Sequence, residues 1–539
     1  MLRNGVCKMR VLLINPPLSV HEFPHLALPI LKGYLKQQNI ACDTVDYNVH
    51  IMDDIISDGL EKVVEYFYIR GMRITSNEVR RRFHDAKQVF YMKDRQGKDE
   101  RAQRLINTYL RIAGSNIFDV CFRPDSLQKI KDGYETCDFE KSSNRIIRFL
   151  RETALTEIIK KDYEIIGISV PYTSQLYYAL ILGKAIKQAL PKCKVLLGGP
   201  QISLFWNVLT KYAPFRDAYD GLMYGQGEKA LEEYVVATEK NRDIREVPNL
   251  IHWQGDQLII NDEQNVCSMT DIPIADFSDL PLDKYIYAKL PYQMSRGCYW
   301  SKCAFCSYRD HKQYDVRKVE QVCDHLAYLE KMYDRHMFQF IDDAIHPNIL
   351  SKLADLIMQR EMNIRYDAYL RLDTGFTAEL CQKLAKSGLK NVLFGMESAN
   401  QRILNLMRKG NTPENMLQVM KNMKAAGIQS ILSCLIGFPT ETEQEAWESI
   451  QFLKKNREWY YWVYIVHFGM ISDMRNDAET YGIRNLNLND LIRYDDTGFT
   501  ALGYPYETNS GMTVDEAFSI IKKGRKELGI TIFDDNFFS

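Results

Sequence analysis

Twice along this chain, short runs of β-branched and aliphatic residues alternate with helical stretches, and that alternation restricts the fold more than any other feature. Strand, crossover, strand is the pattern of a parallel sheet covered by helices. In the first block, residues 11–14 end at Pro16-Pro17, a helical stretch follows at 26–38, and a second strand alternates over 41–47. The pattern resumes with strands at 165–170, 194–197 and 221–224, the last two running into Gly198-Gly199-Pro200 and Gly225-Gln226-Gly227-Glu228. Residues 51–160 are charged, aromatic and poor in glycine and proline, which predicts a helical insertion. Residues 241–285, with turn chemistry at Asp271-Ile272-Pro273, are expected to connect the two blocks.

In the second block, strands are expected at 292–295, 338–341, 365–369, 391–394, 430–436 and 462–466. The predicted architecture is therefore α/β: a doubly wound, Rossmann-like unit over 9–240, a partial (β/α)6 barrel of the TIM type over 286–468, and a C-terminal extension over 469–539. Both folds gather chemistry at the carboxyl ends of their strands. Asp342-Asp343, Arg371, Gly395-Met396-Glu397-Ser398 and Gly437-Phe438-Pro439-Thr440-Glu441 all follow barrel strands. The aromatic run 459–464 is assigned chiefly to core packing.

A chain of 539 residues buries enough surface to fold without disulfides or a structural metal. Its 69 Lys+Arg against 70 Asp+Glu argue against a general nucleic-acid binder. No run approaches the roughly 18 apolar residues of a membrane span, so a cytoplasmic protein with reduced thiols is expected. Nine of the 12 cysteines are scattered, whereas Cys298, Cys303 and Cys306 crowd one loop. Three such thiolates hold either one iron–sulfur cluster or one metal ion. Three ligands to a cubane leave one iron open to a substrate. The competing reading is a zinc-stabilised binding protein, with His311 completing a Cys3His tetrahedron. Neither a Gly-x-Ser-x-Gly elbow nor a Gly-x-x-x-x-Gly-Lys-Ser/Thr phosphate loop occurs.

The segment Ser295-Arg296-Gly297-Cys298 through Phe305-Cys306, followed by the barrel motifs in order, resembles the radical S-adenosylmethionine (SAM) superfamily. One departure is the four residues between Cys298 and Cys303, where the common pattern has three. The resemblance implies a [4Fe-4S] cluster on Cys298, Cys303 and Cys306, with SAM contacts from Phe305, Asp342, Arg371, Glu397, Gly437 and Pro439.

The N-terminal turns look like the cobalamin-binding domain fused to many such enzymes. That likeness implies cobalamin contacts from Pro16, Ser169, Tyr172, Thr173, Gly198, Gly199, Gly225, Gly227 and Glu228. No Asp-x-His-x-x-Gly motif offers a lower axial histidine. The expected activity is methyl transfer to an unactivated carbon or phosphorus centre through a 5′-deoxyadenosyl radical and methylcobalamin. The alternatives are rearrangement, cyclisation or methylthiolation on the same architecture. The expected partners are a small-molecule or peptide substrate and a reducing donor such as flavodoxin or ferredoxin, with no nucleic acid and no membrane span.

Overall fold

A computed structural model of the chain describes residues 9–19, 23–51, 75, 77, 126–263, 267–285, 287–306, 314–468, 473–493 and 502–530. Strand β1 (Arg10–Asn15) is apolar from Val11 to Ile14, with each of these side chains at most 4% exposed. Such a continuous run suits a central parallel strand covered by helices on both faces. Its sheet also contains β2 (Ala41–Asp46), β3 (Ile165–Ser169), β4 (Lys194–Gly198), β5 (Gly221–Met223), β6 (Leu250–Gln254) and β7 (Gln257–Ile260). The spatial order is β2-β1-β3-β4-β5-β6-β7. The first five strands are parallel, and the order reverses between β1 and β3. In open α/β sheets a ligand crevice forms at that reversal, outside the carboxyl ends of the strands. The covering helices are α1 (Ala27–Gln37), α2 (Thr173–Ala189), α3 (Pro200–Leu209) and α4 (Gly227–Glu239).

The expected connector departs from the sequence reading. Residues 250–260 fold back around Gly255 and add β6 and β7 antiparallel to the sheet edge, strands too short to declare a period. Most of the expected helical insertion lies outside the described residues. Its described end is helical over Leu127–Thr136 and Arg145–Phe149.

The second sheet opens with β8 (Lys289–Tyr292), three residues earlier than expected. Ser295 and Arg296 form a separate two-residue strand, β9, paired with β10 (Asp315–Val316). The sheet continues through β11 (Met337–Phe340), β12 (Arg365–Arg371), β13 (Leu389–Glu397), β14 (Gln429–Ile436) and β15 (Trp462–His467). All six main strands are parallel and neighbour one another in chain order, from β8 at one end to β15 at the other. Helices α5 (Val319–Tyr333), α6 (Pro347–Gln359), α7 (Ala378–Lys386), α8 (Pro413–Ala425) and α9 (Glu443–Lys455) alternate with them. Side chains start several of these helices. Thr442 and Glu445, for example, form a reciprocal capping box on α9.

The two units share a core. Ala304 of the cysteine loop and Phe438 of a barrel loop are buried in one apolar cluster with Ile168, Leu197 and Phe205. The C-terminal part spans the junction: the Tyr504 ring meets Phe205 at 5.9 Å, and Leu127 N–H donates to the Leu491 carbonyl at 2.9 Å. Helix α10 (Val514–Glu527) packs on β15 through the Arg525 guanidinium, which donates to the Ile465 carbonyl. Among the described residues, no helix is long and apolar enough to cross a membrane.

Candidate cofactor site

The cysteine loop is tied down at several points. At its start, the fully buried Asp342, just past β11, accepts the backbone N–H of Met294 at 3.1 Å and the Ser295 hydroxyl at 2.6 Å through Oδ1. Its Oδ2 has no partner among the described residues, and burial raises the carboxyl to about 7. One oxygen of this expected SAM contact therefore anchors the loop. Cys298 pairs with Ala344 in an isolated parallel bridge. Further on, Ala304 N–H donates to the Met407 carbonyl at 3.0 Å and Trp300 Nε1 to the Arg408 carbonyl at 2.9 Å. Cys298 and Cys306 are partly exposed and Cys303 is buried. Burial pushes the Cys303 thiol up, against the pull of Lys409 and Arg371.

Arg371 ends β12 beneath the loop. Its Nη1 lies 3.8 Å from Cys303 Sγ, its Nη2 donates to the Lys409 carbonyl at 2.7 Å, and its Nε has no partner among the described residues. Glu397 sits at a register shift where β13 leaves β14, with a positive φ of 65° that a non-glycine residue rarely adopts. Its carboxylate accepts Lys409 Nζ at 3.0 Å. Strain held by surrounding bonds is common at ligand sites. The Lys409 ammonium also stands 5.7 Å from the Phe305 ring centroid.

The next loop is shaped by Glu441, whose Oε2 accepts the N–H groups of Gly437 at 2.7 Å and Phe438 at 3.3 Å. Glu441 Oε1 is unpartnered among the described residues, and burial raises this carboxyl to about 8. Gly437 has φ 86°, and a Cβ there would meet His467 Nε2 at 2.7 Å, so the turn requires glycine. Pro439 is buried in the same turn.

The donor chemistry at the loop, three free thiols with Lys409 and Arg371 acting on Cys303, fits an iron–sulfur cluster. Among the described residues, no three Cys, His, Asp or Glu side chains converge on a single ion. A cubane has a wider span, because each cysteine meets a different iron corner. The two cations beside Cys303 suit a cluster held by several thiolates. His311, on which the zinc reading depended, lies outside the described residues.

In the first unit, Pro16, Ser169, Gly198, Gly199, Gly225 and Gly227 lie at or just past the carboxyl ends of β1, β3, β4 and β5. Thr173 is buried at the start of α2, and Tyr172 is half exposed, with its ring 6.5 Å from His25. Burial lowers His25 to about 4, and its Nδ1 accepts the Ala27 N–H. Glu228 lies at the start of α4. This 3%-exposed side chain forms a two-pronged ion pair with Arg296, one contact at 3.2 Å. That pair joins α4 of the first unit to β9, immediately before Gly297-Cys298.

Sequence reasoning missed Lys409, Asn411, Trp300 and Tyr299. Asn411 lies within 3.5 Å of Arg371, with its Nδ2 unpartnered, and the Tyr299 hydroxyl donates to Asp373 at 3.0 Å. The available signal was Lys409-Gly410-Asn411-Thr412-Pro413, a glycine turn before a Thr-Pro helix start that follows a strand already rich in motifs.

Residues 292–453 match the radical SAM superfamily. Over those residues the chain resembles that superfamily, and its two-unit fold resembles that of solved cobalamin-dependent radical SAM enzymes. The radical SAM methyltransferase TsrM from Kitasatospora setae, solved with cobalamin and a [4Fe-4S] cluster, superposes with a TM-score of 0.60 at 14% identity, covering 96% of this chain and 90% of that one. The cobalamin-dependent radical enzyme OxsB, solved with aqua-cobalamin and SAM, gives 0.54 at 17% identity, covering 83% and 52%. By sequence, an uncharacterized methyltransferase of Pyrococcus horikoshii is 31% identical over 311 residues, 56% of this chain and 66% of that protein. The anaerobic magnesium-protoporphyrin IX monomethyl ester cyclase of Rubrivivax gelatinosus is 25% identical over 312 residues, 55% and 54% respectively. The chain thus spans between about half and two thirds of these relatives' lengths.

Proposed function

We propose that this chain is a cobalamin-dependent radical SAM methyltransferase acting on an unactivated carbon or phosphorus centre. The observation that carries the proposal is the buried Glu228–Arg296 pair, which holds the ligand-bearing edge of the first sheet against the loop of the three cysteines. Two cofactors bound at these edges would face one another across a junction closed by apolar packing. When bound, the cluster supplies the electron that cleaves SAM, and cobalamin carries the methyl group.

The chain's own residues bind, orient and shield. Cys298, Cys303 and Cys306 would hold the cluster, and Arg371 and Lys409 would offset its thiolate charge. Arg371 keeps an uncommitted Nε and Asn411 an uncommitted Nδ2, two donors for the methionine carboxylate. Glu397 offers an acceptor toward ribose hydroxyls or the ammonium, and the protonated Glu441 Oε1 a hydroxyl donor. In the first unit, Pro16, Ser169, Thr173 and the glycines 198, 199, 225 and 227 would line the cobalamin crevice, with Tyr172 at its mouth. A cytoplasmic setting and a reducing donor protein belong to the same reading.

Anaerobic reconstitution with iron and sulfide tests the proposal. A brown protein that releases 5′-deoxyadenosine from SAM under reduction and retains cobalamin supports it, whereas a colourless zinc protein refutes it. The match to a cyclase favours ring closure as the second reading. Production of 5′-deoxyadenosine with no retained cobalamin would select that one.

A further inference from the structure

The extra residue between Cys298 and Cys303 builds a surface feature. Within the four-residue spacer Ser301 stands in the left-handed region at φ 48°, with Lys302 exposed and Trp300 partly exposed. Trp300, Ser301 and Lys302 line an open pocket of about 460 Å³ together with Asn405, Arg408 and Gly410. Gly410, at φ 73°, lets the indole lie on the backbone, since a Cβ there would stand 2.2 Å from the ring. Lys302 Nζ lies 4.8 Å from the Trp300 ring centroid. Neither Lys302 nor Arg408 has a carboxylate partner among the described residues, and both are exposed. The nearby cations differ, for Lys409 is buried on Glu397 and Arg402 is paired with Glu445.

Behind this basic face lies a short route to the cysteines. The Trp300 ring centroid is 4.4 Å from the Arg371 guanidinium carbon, and Arg371 Nη1 is 3.8 Å from Cys303 Sγ. We propose that the Trp300–Lys302–Arg408 face docks an acidic, flavin-carrying electron-donor protein. On this face the donor's reduced flavin passes one electron by way of Trp300 and Arg371 to the cluster. The flavin is oxidised by one electron, the cluster is reduced by one, and no bond forms or breaks. Two exposed cations with no carboxylate partner among the described residues, beside the Trp300 ring, complement an acidic patch, and their field steers encounter in a salt-dependent way. The inference rests on the radical SAM reading and adds the entry point for its reductant.

The test uses the reconstituted full chain and the variant Lys302→Glu/Arg408→Glu, with Lys302→Gln/Arg408→Gln as a milder second pair. Fluorescence anisotropy of labelled, oxidised flavodoxin reads binding without turnover. The expected result is a Kd raised about tenfold or more by the charge reversal, a smaller rise for the glutamine pair, and loss of the wild-type salt dependence. Cluster reduction by dithionite, followed by electron paramagnetic resonance, and 5′-deoxyadenosine release with dithionite should match wild type. Unchanged flavodoxin binding overturns the docking proposal alone. Loss of dithionite-driven reduction also overturns it, because the face then belongs to the cluster site itself. A wild-type protein inert with dithionite refutes the underlying function, an outcome distinct from both.

Discussion

Glu441 organises the loop after β14 with one oxygen and leaves the other bare in a buried setting. With its folded value near 8 and an ordinary value near 4.5, the folded protein keeps a proton that the unfolded chain has already lost between those limits. Stability therefore falls as pH rises from about 4.5 to about 8, by up to about 1.4 kcal/mol per pH unit from this group, and levels off above. Glu441→Gln keeps an acceptor for the Gly437 N–H and removes the titration. Denaturant unfolding measured across that range should show a flatter profile for the variant. A second residue-scale prediction concerns Cys303. Cys303→Ala removes one buried thiol, costs about 1 kcal/mol of stability, and should abolish both the brown colour and 5′-deoxyadenosine release. Survival of both would refute Cys303 as a cluster ligand.

At the scale of elements, β9 carries more than its two residues suggest. Its Arg296 is paired with Glu228 in a buried setting, and removing one partner of such a pair leaves an uncompensated charge. Glu228→Gln should lower the unfolding free energy by about 3 kcal/mol and loosen the junction, read as faster hydrogen exchange in both α4 and the cysteine loop. Exchange confined to α4 would contradict the coupling. This pair was invisible in the sequence, where Glu228 follows a glycine turn in the manner of a ligand residue. Only the approach of β9 reveals its ion pair with Arg296. The same limit applies to Asp342, whose position after a strand was legible although its bond to the loop's first residue was not. What the sequence did carry was periodic. The apolar run of β1 and the barrel strands were readable because burial on both faces leaves continuous apolar stretches. The β6–β7 hairpin was not, because its strands are too short to show a period and its pairing is set by the sheet edge it meets. The three-cysteine loop was readable by chemistry alone, since free thiols cluster for few reasons other than a metal or cluster.

For the whole molecule, the two parallel sheets share an apolar junction with the C-terminal segment packed across it, so that Tyr504 and Phe205 lie on opposite sides of one contact. An enclosed junction suits a reaction that must keep a reactive species from water. The most direct test of the account follows an isotopic label from the SAM methyl group, with reconstituted protein, cobalamin and a strong reductant under anaerobic conditions. The account predicts label in the protein-bound corrinoid fraction together with 5′-deoxyadenosine release. Release of 5′-deoxyadenosine with no label on the corrinoid would contradict methyl transfer, and absence of both would contradict the radical reading itself.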